Sequence, residues 1–225
     1  MLIGILQTGL APKELAPTLG DYDDMFARLL DGHGFTFRSW RVVEMDFPNS
    51  IEAADGWLIT GSRYGAYEDH PWIPPLEQFI QAAYVAAIPM VGICFGHQII
   101  AQALGGRVEK FDKGWSVGRQ GYQYNGEEIA LNAWHQDQVV EVPPGAKIVA
   151  SNAFCEAAGL VYGNRAYTLQ PHPEFGDAMV EGLITHRSAA VPPVRLDYAR
   201  GQLGQQIHDA RIAQDIADFF HAARS

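Results

Sequence analysis

The chain has 225 residues, of which 48% are hydrophobic and 19% are charged, and its formal net charge is −10 at pH 7. A chain of this length can remove about 70% of its unfolded surface from water, which is enough for one α/β domain over residues 1–225. The negative charge argues against a nucleic-acid partner, and no apolar run approaches the ~18 residues that a membrane span needs.

Apolar strand-like runs alternate with helical stretches along the chain, a pattern typical of a doubly wound α/β fold. Strands are predicted at 2–7, 36–42, 56–60, 90–93, 147–151, 160–162 and 166–170. Helices are predicted at 22–30, 75–87, 97–104 and 210–223. Because parallel strands need crossover helices, this order predicts a central, mainly parallel sheet flanked by helices. The glycine-interrupted stretch 107–142 indicates a small antiparallel β extension that covers one edge.

Cys94 lies between Gly92 and Gly96, where the apolar run 90–93 gives way to a helix-compatible segment. This arrangement predicts a nucleophile elbow, in which a sharp turn holds the thiol at a helix N-terminus. The partial positive charge and free N–H groups of a helix N-terminus favour a thiolate and can hold an oxyanion. A Cβ at either glycine would collide in so tight a turn. We therefore interpret Cys94 as a nucleophile, with a buried structural cysteine as the alternative.

A second motif, His172-Pro173-Glu174, follows the apolar segment 166–169. Pro173 disfavours an α conformation at His172, so the motif is predicted to be extended. Extended residues two positions apart share a face, which lets His172 turn toward a thiol while Glu174 turns toward the imidazole. In a cysteine-based triad the histidine takes the thiol proton and the acid fixes the histidine tautomer. The alternative interpretation of this motif alone is a surface turn.

Together the two motifs resemble those of the class I (triad-type) glutamine amidotransferases, whose elbow is Gly-x-Cys-x-Gly-x-Gln and whose acid–base pair is His-x-Glu. The matching positions are Gly92, Cys94, Gly96, Gln98, His172 and Glu174. The resemblance extends over most of the chain and implies a flavodoxin-like α/β fold. It also implies that Cys94 attacks the side-chain amide of glutamine, releases ammonia and forms a γ-glutamyl thioester that water then hydrolyses. No cofactor is implied.

The turn 60–65 is the expected source of an oxyanion hole. Its backbone N–H groups, together with the N–H of Phe95, would face the elbow. Many family members have Gly-Gly-Pro where this chain has Gly61-Ser62-Arg63. Gly61 and Ser62 therefore both remain candidates for the second donor.

Two further residues are candidates for substrate binding. By the resemblance, Gln98 would contact the α-amino acid end of the substrate. His135, in the segment 134–137, either lines the glutamine pocket, as the corresponding family element does, or is a structural hydrogen-bonding residue. His97, next to the elbow, is expected to support the site without acting in catalysis. The eight histidines show no ligand spacing, so no metal site is predicted.

The substrate and the partner remain open between alternatives. Amidotransferases deliver ammonia to a synthase, and only about fifty residues follow Glu174. The chain is therefore expected to act alone on glutamine or to recruit a separate ammonia-accepting synthase, as the glutaminase domain of GMP synthase serves its own synthase. The segment 60–69 looks more like a free-standing γ-glutamyl peptidase, for which Arg63 would supply a positive charge at the pocket mouth. A non-catalytic binding domain is a third interpretation.

The two cysteines and the first residues point to a cytoplasmic protein. The start Met-Leu-Ile-Gly-Ile-Leu lacks the basic region and cleavage site of a signal peptide. A nucleophilic thiol kept free for chemistry suits a reducing compartment. Cys155 is expected to be a packing residue, because free cysteines are usually buried.

Overall fold

The computed structural model describes residues 1–223, and residues 224 and 225 of the predicted domain lie outside the described residues. The strands are β1 (Leu2–Leu6), β2 (Thr36–Trp40), β3 (Gly56–Ile59), β4 (Met90–Ile93), β5 (Arg107–Lys110), β6 (Ser116–Tyr124), β7 (Glu127–His135), β8 (Asp137–Glu141), β9 (Lys147–Ser151), β10 (Gly159–Tyr162) and β11 (Ala166–Leu169). The helices are α1 (Ala16–Leu19), α2 (Tyr22–Leu29), α3 (Ile73–Val85), α4 (Phe95–Ala103), α5 (Asp177–His186), α6 (Pro193–Gly201) and α7 (Asp209–Ala222).

A nine-stranded sheet organises the chain in the order β2-β1-β3-β4-β11-β10-β9-β6-β7. The strands from β2 to β11 in this order are parallel to one another, and the remaining pairs are antiparallel. In β3 and β4 every residue is buried, as expected for parallel strands covered on both faces. The predicted mainly parallel sheet is therefore confirmed as the core of a mixed sheet.

Helices cover both faces of this parallel core. Successive side chains of a strand point to opposite faces, and β3 illustrates this alternation. Trp57 packs in one apolar cluster with Ile80 of α3, while Leu58 packs in another with Phe26 of α2 and Ile216 of α7. The apolar residues of the strands are thus buried between two helical layers. No helix among residues 1–223 is both long and apolar enough to cross a membrane.

The predicted antiparallel extension is present but is divided into two parts. Strands β6 and β7 pair with each other, and β6 continues the main sheet by pairing with β9. Strands β5 and β8 form a separate two-stranded antiparallel sheet. The chain passes from the small sheet to the main sheet between β5 and β6, and it returns to the small sheet at Gln136, between β7 and β8. The glycine pattern indicated short antiparallel strands, but it carried no information on which strands would join the main sheet.

The sequence patterns do not predict α1, α5 and α6, and they place the start of α3 two residues too late. Both α3 and α6 carry proline in their first turn. Proline is tolerated there because the first N–H groups of a helix have no intrahelical partner. Prolines at 74, 75 and 193 therefore mark helix starts in this chain.

Candidate active site

The turn from β4 into α4 places Cys94 in a strained backbone conformation, with φ of 54° and ψ of −103°. Positive φ is uncommon for a residue with a side chain and costs about 1–3 kcal/mol. A Cβ on Gly92 would lie 2.5 Å from the carbonyl oxygen of Gly96, and a Cβ on Gly96 would overlap the carbonyl oxygen of Ile59. The strand–turn–helix geometry expected of a nucleophile elbow is therefore present, and both glycines are required by close backbone approach.

His172 and Glu174 lie on the extended segment after β11. The backbone N–H of His172 donates to the carbonyl oxygen of Asn132 at 2.8 Å, and this bridge holds the segment against β7. The imidazole Nδ1 donates to Oε1 of Glu174 at 2.7 Å. Strand β11 lies beside β4 and parallel to it, so the segments that follow their carboxyl ends adjoin. This adjacency brings His172 to Cys94.

The charges around His172 keep its ring protonated. Burial by itself would lower the pKa of His172, but the carboxylate of Glu174 and the negative charge of Cys94 outweigh it and raise the pKa to about 10. Both partners of the His172–Glu174 pair are almost fully buried, with side-chain exposures of 4% and 1%. Phe175 stacks on the imidazole at 3.9 Å between ring centroids and 3° between planes, which restricts the orientation of the ring. The site thus holds an imidazolium between the sulfur of Cys94 and the carboxylate of Glu174.

The candidate oxyanion donors adjoin this pair. A Cβ on Gly61 would lie 3.0 Å from Cε1 of His172 and 3.7 Å from Cβ of Cys94, so the Gly61 backbone stands directly against both side chains. Within residues 1–223, the backbone N–H groups of Gly61, Ser62 and Phe95 donate to no protein acceptor. The Ser62 hydroxyl donates to the carbonyl oxygen of Thr8 at 2.7 Å, which anchors the turn.

Gln98 and His135 both converge on the backbone carbonyl of Asp137. The amide of Gln98 donates to this oxygen at 2.9 Å and to Oε1 of Gln170 at 3.0 Å. His135 Nδ1 contacts the same oxygen at 3.2 Å. Burial lowers the pKa of His135 to about 3, so the ring is neutral. Its Nε2 is buried and has no partner among residues 1–223, which leaves an acceptor nitrogen beside the cleft.

His97 and Cys155 lie behind the site. His97 is fully buried and its Nδ1 forms a 2.8 Å hydrogen bond with the hydroxyl of Thr168 on β11. Burial lowers the pKa of His97 to about 3. Burial and the charge of Cys94 raise the pKa of the Cys155 thiol to about 12. The geometry therefore gives His97 a structural contact and keeps Cys155 in its unreactive thiol form.

A cleft of about 640 Å³ opens over the thiol and is lined by Cys94 and His172. Both Gln98 and His135 also line it. Arg63, which the sequence placed at the pocket mouth, also lines it, but the sequence patterns did not identify most of the other aromatic and cationic side chains of its walls. These include Tyr22, Tyr67, Trp115, Lys13, Lys110 and Arg187. They come from segments far apart in the chain and share no motif, so only the folded arrangement groups them.

Comparison with known proteins assigns the family. The model of the glutamine amidotransferase class-I family matches residues 21–179. The chain belongs to this family. It is 34% identical over 208 residues to a glutamine amidotransferase-like protein of Schizosaccharomyces pombe, covering 81% of this chain and 82% of the relative. It is 33% identical over 174 residues to gamma-glutamyl peptidase 4 of Arabidopsis thaliana, covering 70% of this chain and 69% of the peptidase.

A glutamine-hydrolyzing GMP synthase of Ralstonia pickettii is 31% identical over 181 residues, but this match covers only 33% of the synthase. Among solved structures, a glutamine amidotransferase of Methylobacillus flagellatus superposes with a TM-score of 0.75 at 21% identity, over 99% of this chain and 92% of that one. This likeness confirms the predicted fold class. The family match and the named relatives also confirm the prediction that this chain is an enzyme of the glutamine amidotransferase type.

Proposed function

We propose that the protein hydrolyses the γ-glutamyl amide bond of glutamine, with Cys94, His172 and Glu174 as its catalytic residues. The observation that supports this proposal is the contact of a strained elbow cysteine with an imidazolium that donates to a buried carboxylate at 2.7 Å. Strain and buried charge both lower stability and persist where the fold holds a functional site. A non-catalytic binding domain would have no chemical need for either.

In the first half of the reaction the Cys94 thiolate attacks the side-chain carbonyl carbon of glutamine. The carbonyl π electrons move to oxygen, and the resulting oxyanion accepts hydrogen bonds from N–H groups at the elbow and the turn after β3. Gly61, Ser62 and Phe95 are the proposed donors because their N–H groups have no acceptor among residues 1–223. His172 then gives its proton to the leaving nitrogen, the C–N bond breaks, and ammonia departs from a γ-glutamyl thioester.

In the second half, the now neutral His172 removes a proton from water as the water attacks the thioester. The C–S bond breaks, glutamate is released, and the thiolate and imidazolium return. Glu174 fixes the histidine tautomer, so its role is to orient and stabilise the imidazolium. Gln98 and His135 line the cleft beside this site and are the proposed contacts of the substrate's α-amino acid end.

A γ-glutamyl peptide or conjugate is a second candidate substrate, and the size of the cleft favours it. A volume of about 640 Å³ matches the pockets of about 300–1,000 Å³ that hold drug-sized ligands, and free glutamine is much smaller than these. Relatives named as gamma-glutamyl peptidases support the same candidate.

If glutamine is the substrate, a separate synthase that accepts ammonia is the expected partner. Under either candidate the free thiols of Cys94 and Cys155 suit a reducing compartment such as the cytoplasm.

The test is hydrolysis by the purified protein alone, supplied with glutamine in one series and a γ-glutamyl dipeptide in the other. Glutamate release measures both reactions, and Cys94→Ala is the inactive reference. We expect the protein to hydrolyse the dipeptide at least as well as glutamine. A kcat/KM that favours glutamine, or activity that requires an added synthase, would decide for the amidotransferase. No glutamate from either substrate by correctly folded protein, with or without a synthase, would refute the proposed function.

A further inference from the structure

One wall of the cleft consists of α2, α5 and the loop before α1. Ala11, Phe175 and Leu183 pack there in one apolar cluster, with Tyr22 and Trp134 against it. The loop is tied to the start of α2, because Oδ1 of Asp21 accepts hydrogen bonds from the N–H groups of Ala11 and Tyr22, both at 2.8 Å. This wall is therefore held by packing and by a helix cap.

The Tyr22 hydroxyl on this wall is an unpaired hydrogen-bond donor within the described part of the chain. No group among residues 1–223 forms a hydrogen bond with it, and the half-buried side chain lines the cleft. The Tyr22 ring lies 6.0 Å from that of Phe175, which in turn stacks on His172 at 3.9 Å. Burial first, and then the negative charges of Cys94 and Glu174, raise the pKa of Tyr22, so the hydroxyl remains a donor at neutral pH. The cleft thus contains a fixed, unused donor on the side of His172.

Arg187 adds a positive charge to the same wall. It follows α5 and lines the cleft, and its side chain is 43% exposed. Its Nη1 donates to the carbonyl oxygen of His186 at 3.3 Å and its Nη2 forms an ion pair with Glu14 at 3.8 Å, and the other N–H groups of the guanidinium remain for a ligand. Lys13 also lines the cleft. In a chain with a net charge of −10, this wall offers two cationic side chains and a hydroxyl donor to a ligand.

The position of His172 decides which part of a substrate meets this wall. His172 protonates the leaving nitrogen in the proposed reaction, so the leaving group must lie on the His172 side of the thiol. The γ-glutamyl group is then assigned to the part of the cleft lined by the proposed contacts Gln98 and His135. Ammonia from glutamine carries no carboxylate for Arg187 to bind. An amine that carries a carboxylate, such as an amino acid or a peptide, is large enough and has the complementary charge.

We infer that Tyr22 and Arg187 form a leaving-group subsite that binds the carboxylate of an amino acid or peptide released from its γ-glutamyl amide. This inference rests on the proposed function. It assigns the carboxylate to Arg187 in preference to Arg63, whose guanidinium lies over the Tyr64 ring at 4.8 Å and donates to the Tyr64 hydroxyl at 2.7 Å. Arg63 is thereby engaged by its neighbour, on the turn that follows β3.

The test compares two substrates that differ only at the carboxylate, namely γ-glutamylglycine and γ-glutamylglycinamide. Arg187→Gln is expected to lower kcat/KM for γ-glutamylglycine by about 10-fold to 100-fold, as expected for loss of a charge-assisted hydrogen bond. Tyr22→Phe is expected to lower it by about 10-fold. Both variants should change kcat/KM for γ-glutamylglycinamide by less than about threefold, because the amide carries no charge for these donors to bind.

Matched controls lie on α6, away from the cleft. Tyr198→Phe removes an exposed hydroxyl that donates to the carbonyl oxygen of Arg119, and Arg200→Gln removes an exposed cation 3.2 Å from Asp197. Both controls should leave the ratio of the two kcat/KM values unchanged. Equal losses on the two substrates, no loss, or a selective loss in Arg63→Gln instead would overturn the subsite.

A binding measurement distinguishes a failure of the subsite from a failure of the proposed function. In the Cys94→Ala background, calorimetry should give weaker binding of γ-glutamylglycine with Arg187→Gln and unchanged binding of γ-glutamylglycinamide. If the wild-type protein hydrolyses nothing but this selectivity is found, the proposed function fails and the subsite stands. If hydrolysis proceeds and the selectivity is absent, the subsite fails and the proposed function stands.

Discussion

Replacing Glu174 with glutamine is the most direct test of how the site works. The substitution keeps the size of the side chain and removes its charge, which lies 2.7 Å from Nδ1 of His172. With a side-chain exposure of 1%, Glu174 cannot be replaced by solvent as the partner of the imidazolium. We therefore expect Glu174→Gln to slow turnover by orders of magnitude while the fold remains intact.

The magnitude follows from the burial of the pair. Removing one member of a buried ion pair typically costs about 3–5 kcal/mol. Each 1.4 kcal/mol or so corresponds to about tenfold in rate, so kcat should fall by about 10²-fold to 10⁴-fold if the imidazolium is required in the transition state. The pKa of His172 should fall as well. Burial lowers it, and Glu174 makes the largest of the contributions that raise it to about 10.

The pH dependence of kcat/KM gives this prediction a specific readout. A raised pKa means that the imidazolium is present below about pH 10 and is lost as the pH rises through that value. Wild-type kcat/KM should therefore persist to about pH 10 and then decline. In Glu174→Gln the alkaline decline should begin at a lower pH. A merely structural role for Glu174 would reduce activity without moving this limb.

Two results would refute the reasoning. A Glu174→Gln variant with kcat within a few-fold of the wild type would remove the carboxylate from the mechanism. An unchanged alkaline limb, with reduced activity, would show that Glu174 does not set the charge of His172. Labelling of Cys94 by iodoacetamide and a circular dichroism spectrum would establish that the variant is folded and retains its thiol.

Three further predictions concern the thiols, the turn after β3 and the buried histidines. Iodoacetamide should modify Cys94 well before Cys155, whose pKa is raised to about 12 by burial, and peptide mass mapping showing the reverse order would exclude Cys94 as the nucleophile. Gly61→Ala would place a Cβ 3.0 Å from Cε1 of His172 and should lower kcat about tenfold or more. Gly201→Ala, where a Cβ meets nothing within 4 Å, is its control, and equal activity of the two variants would contradict a tight Gly61–His172 approach. The free energy of unfolding should fall as the pH drops from about 7 toward 3, because His97 and His135 have their pKa values lowered to about 3 by burial and take up protons only on unfolding. His172 adds no slope from about one pH unit below its unfolded pKa of about 6.5, where it is protonated in both states. Urea titrations should therefore give a slope that approaches two protons as the pH falls to about 5.5, and a flat profile would contradict the neutral state of both rings.

The local geometry of the candidate site could be predicted because short-range constraints determine it. Gly92 and Gly96 are needed where β4 turns sharply into α4, because a Cβ on either residue would collide with nearby backbone atoms. Pro173 restricts His172 to an extended conformation, which places Glu174 on the same side of the chain. These effects act within a few residues, so the sequence carries them directly.

The contacts of Gln98 illustrate what such patterns do not determine. Its side-chain amide engages the carbonyl oxygen of Asp137 and the side chain of Gln170, 39 and 72 residues away in the chain. The elbow motif identified Gln98 as a candidate, but it did not indicate that the donors of its side chain would be occupied by the protein. Any contact with substrate must therefore use its remaining acceptor or replace one of these bonds. The strand pattern likewise indicated antiparallel segments in 107–142 without their partners.

The order of strands explains why a site assembles from motifs so far apart. Strands β3, β4 and β11 are parallel neighbours, so the turns after their carboxyl ends meet at one edge of the sheet. Each turn contributes one part: Gly61 after β3, Cys94 after β4 and His172 after β11. The wall formed by α2 and α5 depends on packing beyond the sheet, which no periodicity encodes. For this reason the residues on that wall, including Tyr22 and Arg187, are the part of the cleft that is hardest to find from the sequence.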